Sequence, residues 1–185
     1  MVNRKVFFDL YRSNLDPNNK IDQKELSAID LFLTMFEKDF CMFSVNQWAY
    51  IFATTFHETA STFLPIKEAY WLSEDWRKKN LRYYPYYGRG FVQITWKENY
   101  SAYSKKLNVD FVKNPDLIMN QSYSWFVLVD GFKYGVFTGK KMIDYINDKK
   151  TDYIGARKII NGTDKASLIA GYAKTFEQIL KKSLI

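Results

Sequence analysis

The chain has 185 residues, of which 47% are hydrophobic and 25% charged, with a formal net charge of +7. That length and balance suit one compact domain with a sizeable core and exclude a disordered chain. The basic surface attracts polyanions, but the lysines and arginines are scattered, the densest runs being Arg77-Lys78-Lys79, Lys140-Lys141 and Lys149-Lys150. With no long basic arm and no nucleic-acid module, nucleic acid is not an expected partner. Cys41 is the single cysteine, so no intramolecular disulfide can form, and its setting, Phe40-Cys41-Met42-Phe43, reads as core packing. No segment approaches the roughly 20 apolar residues that span a bilayer, and the start, Met1 to Asp9, lacks the apolar run of a secretory signal. Synthesis in a reducing cytoplasm without stable membrane insertion is the expectation.

In chain order, residues 1–20 read as a short aromatic segment (Phe7, Phe8, Leu10, Tyr11) followed by a turn-rich stretch from Asn14 to Asn19. Leu26, Ile29, Leu33, Phe36 and Phe40 then step by three and four, which predicts an amphipathic helix, and Asp22 with Glu25 marks its start. Ser44 and Gln47 have capping-box spacing and open a second helix, Val45 to about Thr59, whose apolar residues predict deep burial. Residues 61–87 read as irregular. Phe91 to Trp96 alternates, as a short strand or a loop entering a helix would. The run Trp125 to Val129 predicts a buried helix loosened by Gly131, Gly135 and Gly139. A last helix starts near Asp164, with Ile169, Tyr172, Ala173, Phe176 and Leu180 on one face. The chain therefore reads as one mainly α domain.

Glu58 closes an apolar helix, a position where burial favours the protonated carboxyl that a general acid requires; a solvated or ion-paired helix end is the alternative. His57 is the only histidine. A His-Glu-x-x-His zinc site needs a second histidine at the position of Ser61, so no metal site is expected. A thiol nucleophile would have to pair Cys41 with His57, which the apolar setting of Cys41 disfavours. Glycosidases pair an acid with a second carboxylate, and Glu68, Glu74, Asp75 and Glu98 all compete for that role. Gly88 and Gly90 flank Arg89, as a tight turn or a close approach would require. Aromatics make up 18% of the chain and serve equally as core and as sugar-stacking surface.

The segments His57-Glu58-Thr59-Ala60, Tyr86-Tyr87-Gly88-Arg89-Gly90-Phe91-Val92-Gln93-Ile94-Thr95-Trp96 and Asn99-Tyr100 resemble family-19 glycoside hydrolases, the group of plant-type chitinases and many phage endolysins. Asn114-Pro115-Asp116-Leu117 and the run Ala156 to Ala166 are similar to the phage branch, and the resemblance covers about residues 45–180. It implies a lysozyme-like helical domain with a small irregular or short-strand region at the active-site cleft. Residues 41–185 would be the catalytic domain, and residues 1–40 a helical segment packed on its core.

The resemblance also implies roles. Glu58 matches the general acid, Glu68 is taken as the second carboxylate, and Gln93 and Thr95 match positions that hold the attacking water or the sugar. Tyr87, Arg89, Trp96, Asn99, Arg157 and Asn161 are the implied substrate-binding set, with Arg89 more a brace of the cleft than a direct contact. Plant chitinases carry an arginine on the last helix where this chain has Ile169, and Arg157 is the candidate replacement. The implied reaction is inverting hydrolysis of β-1,4 bonds between amino sugars, without cofactor or metal. Peptidoglycan is the expected polymer. Chitin is the alternative within the same chemistry, and a non-catalytic wall-binding or virion protein is the alternative outside it. The expected setting is a monomer made in a bacterial host cytoplasm and acting on the wall after release.

Overall fold

The computed structural model describes residues 1–18 and 20–185. Seven α-helices carry the fold among these residues: α1 (Arg4–Leu15), α2 (Gln23–Lys38), α3 (Val45–Glu58), α4 (Glu74–Asn80), α5 (Lys97–Leu107), α6 (Gln121–Tyr134) and α7 (Ala166–Ser183). Two antiparallel pairs of two-residue strands complete it, β1 (Ile66–Lys67) with β2 (Arg89–Gly90) and β3 (Ile146–Asn147) with β4 (Lys150–Thr151). None of the helices is long and apolar enough to cross a membrane.

Both expected helix starts are capping boxes. The Asp22 side chain accepts from the Glu25 amide while Glu25 accepts from the Asp22 amide, and Ser44 and Gln47 do the same at α3. Each box satisfies two of the four amides that a helix start leaves unpaired. From Trp48 to Phe56 every residue of α3 is buried, and the helix packs along α7, whose Ile169, Ala173, Phe176 and Leu180 face inward as their spacing predicts. Phe32 of α2 lies edge-on to Phe52, Phe63, Phe91 and Trp125, with centroids 4.9–5.4 Å away.

Several local expectations change. Residues 4–15, read as a short aromatic segment, form α1, capped by Asn3, and Asn19 lies outside the described residues. Phe7 and Tyr11 of α1 are fully buried against Phe52, Phe56 and Phe176. The first 40 residues thus share one core with the rest, and Val2 bridges to Leu184. The irregular stretch contains α4, capped by Ser73. Of the two readings of Phe91 to Trp96, the loop entering a helix is the one observed: α5 follows it, and Arg89 and Ile94 exchange backbone hydrogen bonds across it. Cys41 is exposed. It sits in a 3₁₀ turn whose neighbours Phe40 and Phe43 supply the inward-packing rings.

Candidate active site

Glu58 is the last residue of α3, and the chain leaves it through Ala60, Ser61 and Phe63, all with positive φ. This turn is held by Thr59, whose hydroxyl donates to the Thr55 carbonyl and accepts from the Phe63 amide. The Glu58 side chain is 15% exposed, and Arg157 Nη1 donates to its Oε1 at 2.7 Å. Arg157 is itself fixed: it is buried, and its Nε donates to the Asp164 carbonyl at 3.0 Å. No other hydrogen bond reaches the Glu58 carboxylate among the described residues, so Oε2 is left for a ligand. Ile169 is fully buried in the core and supplies no charge here; the cation beside Glu58 comes from Arg157. The Arg157 carbonyl accepts from the Asn161 amide, which sets Asn161 at the rim of the same cleft. His57 also lines the cleft, and burial holds its imidazole below the ordinary range although the Glu58 charge works the other way.

The second wall is built on β1 and β2, where Ile66 pairs with Gly90 and Lys67 with Arg89. Glu68 follows β1 directly. Its Oε1 accepts from the Tyr83 hydroxyl at 2.6 Å and its Oε2 from the Gly88 amide at 2.9 Å. Gly88 is required by a close approach, because a Cβ there would lie 2.8 Å from Gln93 Oε1 and 3.3 Å from Glu68 Cβ. Gln93 Nε2 donates to the Ile66 and Gly90 carbonyls, and the Thr95 hydroxyl donates to the Gln93 carbonyl. The donors of both side chains are therefore committed to backbone. What they still offer the cleft is acceptor capacity, which suits orienting a water by its protons. Asn99 Nδ2 donates to the Thr95 carbonyl, and the Trp96 ring, 44% exposed, borders the opening.

Tyr87, expected to offer its ring and hydroxyl to substrate, and Arg89, expected chiefly as a brace of the cleft, are both buried behind this wall. The Arg89 guanidinium stacks 3.6 Å from the Tyr87 ring centre and donates to the carbonyls of Pro85 and Tyr87 and to Asp116. The Tyr87 hydroxyl donates to Glu74, so its polar tip points away from the cleft. Loop carbonyls that no helix or sheet satisfies need donors, and a buried guanidinium provides several at once. Arg77, from the basic run Arg77-Lys78-Lys79, does the same for the carbonyls of Glu68 and Ala69, each at 2.8 Å. Burial by itself would raise the Asp116 carboxyl, but hydrogen bonds from Lys67 and Arg89 outweigh it and hold it below the usual carboxylate range.

These walls enclose a cleft of about 660 Å³ lined by Glu58, Glu68, Gln93, Thr95, Trp96, Asn99 and Asn161 among others. Glu74, Asp75 and Glu98 do not line it. Tyr70, Trp71 and Tyr83 do, and sequence reasoning missed them. Trp71 is 71% exposed and meets Tyr70 edge-on at 5.1 Å. Their position next to a candidate carboxylate was the available signal. Among the described residues no cluster of three His, Cys, Asp or Glu side chains could hold a metal ion.

Residues 44–130 match the glycoside hydrolase family 19 model, described as chitinase class I. The chain is 37% identical over 76 residues to Basic endochitinase CHB4 of Brassica napus, covering 38% of this chain and 28% of that protein. It is 53% identical over 34 residues to Chitinase 8 of Oryza sativa subsp. japonica, covering 18% of this chain and 13% of that protein. It thus spans less than a third of the length of these curated relatives. Among solved structures it superposes on chitinase C from Streptomyces griseus with a TM-score of 0.55 at 19% identity, covering 97% of this chain and 76% of that one. A bacterial family 19 chitinase structure gives 0.54 at 22% identity, covering 97% of this chain and 94% of that one. The mainly helical fold is the one these structures share.

Proposed function

We propose that this protein is a glycosidase that hydrolyses β-1,4 bonds between amino sugars with inversion, and that its polymer is bacterial peptidoglycan. The observation that carries the chemistry is a single cleft lined by two carboxylates in unlike settings. Glu58 is ion-paired through one oxygen to Arg157, and Glu68 is held by two neutral donors. In this reading Glu58 takes up a proton on Oε2, the oxygen that Arg157 does not hold, and transfers it to the bridging oxygen as the bond from that oxygen to the anomeric carbon breaks. A water adds to the opposite face of that carbon and gives a proton to Glu68. Thr95 accepts the water's second proton and so turns a lone pair toward the sugar, while the Gln93 carbonyl holds the Thr95 hydroxyl in place. Trp96, Trp71 and Tyr70 offer exposed ring faces to pyranose faces, and Asn99 and Asn161 present amides to the acetamido groups.

The peptidoglycan reading is supported by the net charge of +7, which favours an anionic wall, and by the phage-type segment from Ala156 to Ala166, which supplies Arg157 and Asn161. A phage-borne or phage-encoded lysin acting after release is the setting we infer. Chitin is the second reading, favoured by the names of the relatives. Purified peptidoglycan and chitin are digested in parallel, reducing ends are identified by mass spectrometry, and the first-formed anomer is followed by NMR. Muropeptides from peptidoglycan without products from chitin support the proposal. Products from chitin alone would move the substrate, and a retained anomer would overturn the mechanism. Failure on both polymers would overturn the enzymatic reading.

A further inference from the structure

Glu68 differs from Glu58 in having no cation on its carboxylate among the described residues. One of its two donors, Tyr83, lies outside every motif that suggested the chemistry. Its ring is half-buried in the cleft wall, meeting Trp96 at 5.1 Å with the planes 61° apart, and its carbonyl accepts from the Tyr86 amide at 2.8 Å to close a turn. Behind Glu68, Arg77 holds the carbonyls of Glu68 and Ala69, so the backbone beneath the carboxylate is pinned as well.

We propose that Tyr83 is a positioning residue for the second carboxylate: its hydroxyl, 2.6 Å from Glu68 Oε1, fixes the carboxylate plane so that the remaining lone pairs face the attacking water. The inference rests on the reading of Glu68 as the base. A carboxylate has about four acceptor sites. Tyr83 takes one on Oε1 and Gly88 one on Oε2, leaving a site on each oxygen for water. A neutral donor suits this role because it orients the anion without neutralising it, whereas an ammonium in its place would weaken the base. Burial, then the bond to Glu68 and its charge, push the Tyr83 phenol up to about 12, so it stays a donor throughout the working range. Gln93 does not compete for Glu68, since its amide donates to the Ile66 and Gly90 carbonyls.

The test compares wild type, Tyr83→Phe and Glu68→Gln on solubilised peptidoglycan strands or a chitin oligosaccharide, whichever wild type cleaves. Hydrogen bonds to charged groups are worth enough that Tyr83→Phe should lower kcat about ten- to a hundredfold. KM should stay within about twofold, because the lost interaction acts in the transition state. The acidic limb of the pH–rate profile should move upward, since a bond accepted by a carboxylate favours its ionised form. A fluorinated tyrosine at position 83 keeps the ring, donates more strongly and should move that limb the other way; it carries the test if Tyr83→Phe fails to fold. An unchanged kcat and an unmoved limb in Tyr83→Phe, with Glu68→Gln inactive, would overturn the positioning role alone. Wild-type turnover by Glu68→Gln would overturn the reading of Glu68 itself.

Discussion

Helix α3 delivers Glu58 at the end of a rod whose residues from Trp48 to Phe56 are all buried, while residues 60–96 deliver Glu68 from a wall with hardly any regular structure. On the first wall the backbone satisfies itself and hydrophobic burial holds the rod in place. On the second, six of the eight non-glycine residues with positive φ among the described residues are gathered: Ala60, Ser61, Phe63, Ala69, Gln93 and Trp96. Each such conformation costs on the order of 1–3 kcal/mol. Thr59 holds the turn through Ala60, Ser61 and Phe63, Arg77 holds the carbonyls of Glu68 and Ala69, and Arg89 those of Pro85 and Tyr87. A cleft carboxyl can thus be placed by secondary structure or by a polar network. The network has fewer redundant contacts, so single substitutions should reach it more directly.

The largest effect should come from the helical wall, at the proposed proton donor. Glu58→Gln keeps the shape of the side chain and removes the proton, and should cut turnover about 10²–10⁴-fold with the fold intact by circular dichroism. Retention of more than about a tenth of wild-type turnover would remove Glu58 from the acid role.

On the loop wall the two nearby carboxylates should separate. Glu68→Gln should lower kcat by about 10² with little change in KM. Glu74→Gln should leave kcat near wild type and cost about 1 kcal/mol in urea unfolding, because it weakens the partner of the buried Tyr87 hydroxyl. Azide sharpens the first result: restored turnover of Glu68→Gln, yielding a glycosyl azide of inverted configuration, would identify Glu68 as the missing base.

The brace behind that wall should matter for stability. Arg89→Ala leaves the Pro85 and Tyr87 carbonyls without that donor and Asp116 short of a cation, and should destabilise by about 3 kcal/mol in urea titration. A change below about 1 kcal/mol would mean that the loop wall does not depend on its arginines. Gly88→Ala should do the reverse. The new methyl group pushes on the flexible end of Gln93 and on Glu68, so kcat should fall about tenfold while the melting temperature barely moves.

The smallest effect concerns pH. Burial sets the folded His57 imidazole below its unfolded value of about 6.5. Its contribution to stability is therefore present above that value and lost as pH falls through the folded one. Urea midpoints measured at neutral pH and in mild acid should differ less in His57→Gln than in wild type. An equal loss in both proteins would show that His57 does not report on the acid-bearing wall.

The sequence by itself determined what local rules govern. Helices α2 and α3 followed from caps and from apolar residues three and four apart, α7 from its apolar spacing alone, and Glu58 at the end of α3 followed with them. The Gly88-Arg89-Gly90 run was legible as a tight approach, because residues without a side chain let other groups come closer to the backbone than a Cβ allows. Only the tertiary structure decided which surfaces the cleft displays. Tyr87 and Tyr83 sit four residues apart in one aromatic stretch, yet one is buried on Arg89 and the other faces the cleft and Glu68. Cys41 turned outward although its neighbours are apolar. Arg157, 99 positions from Glu58, became its partner through the packing that follows α6. Periodicity and capping act over three or four residues and are written in the chain. The surroundings of a side chain depend on segments brought together from far along it, and that assembly decided which carboxylates, rings and cations meet.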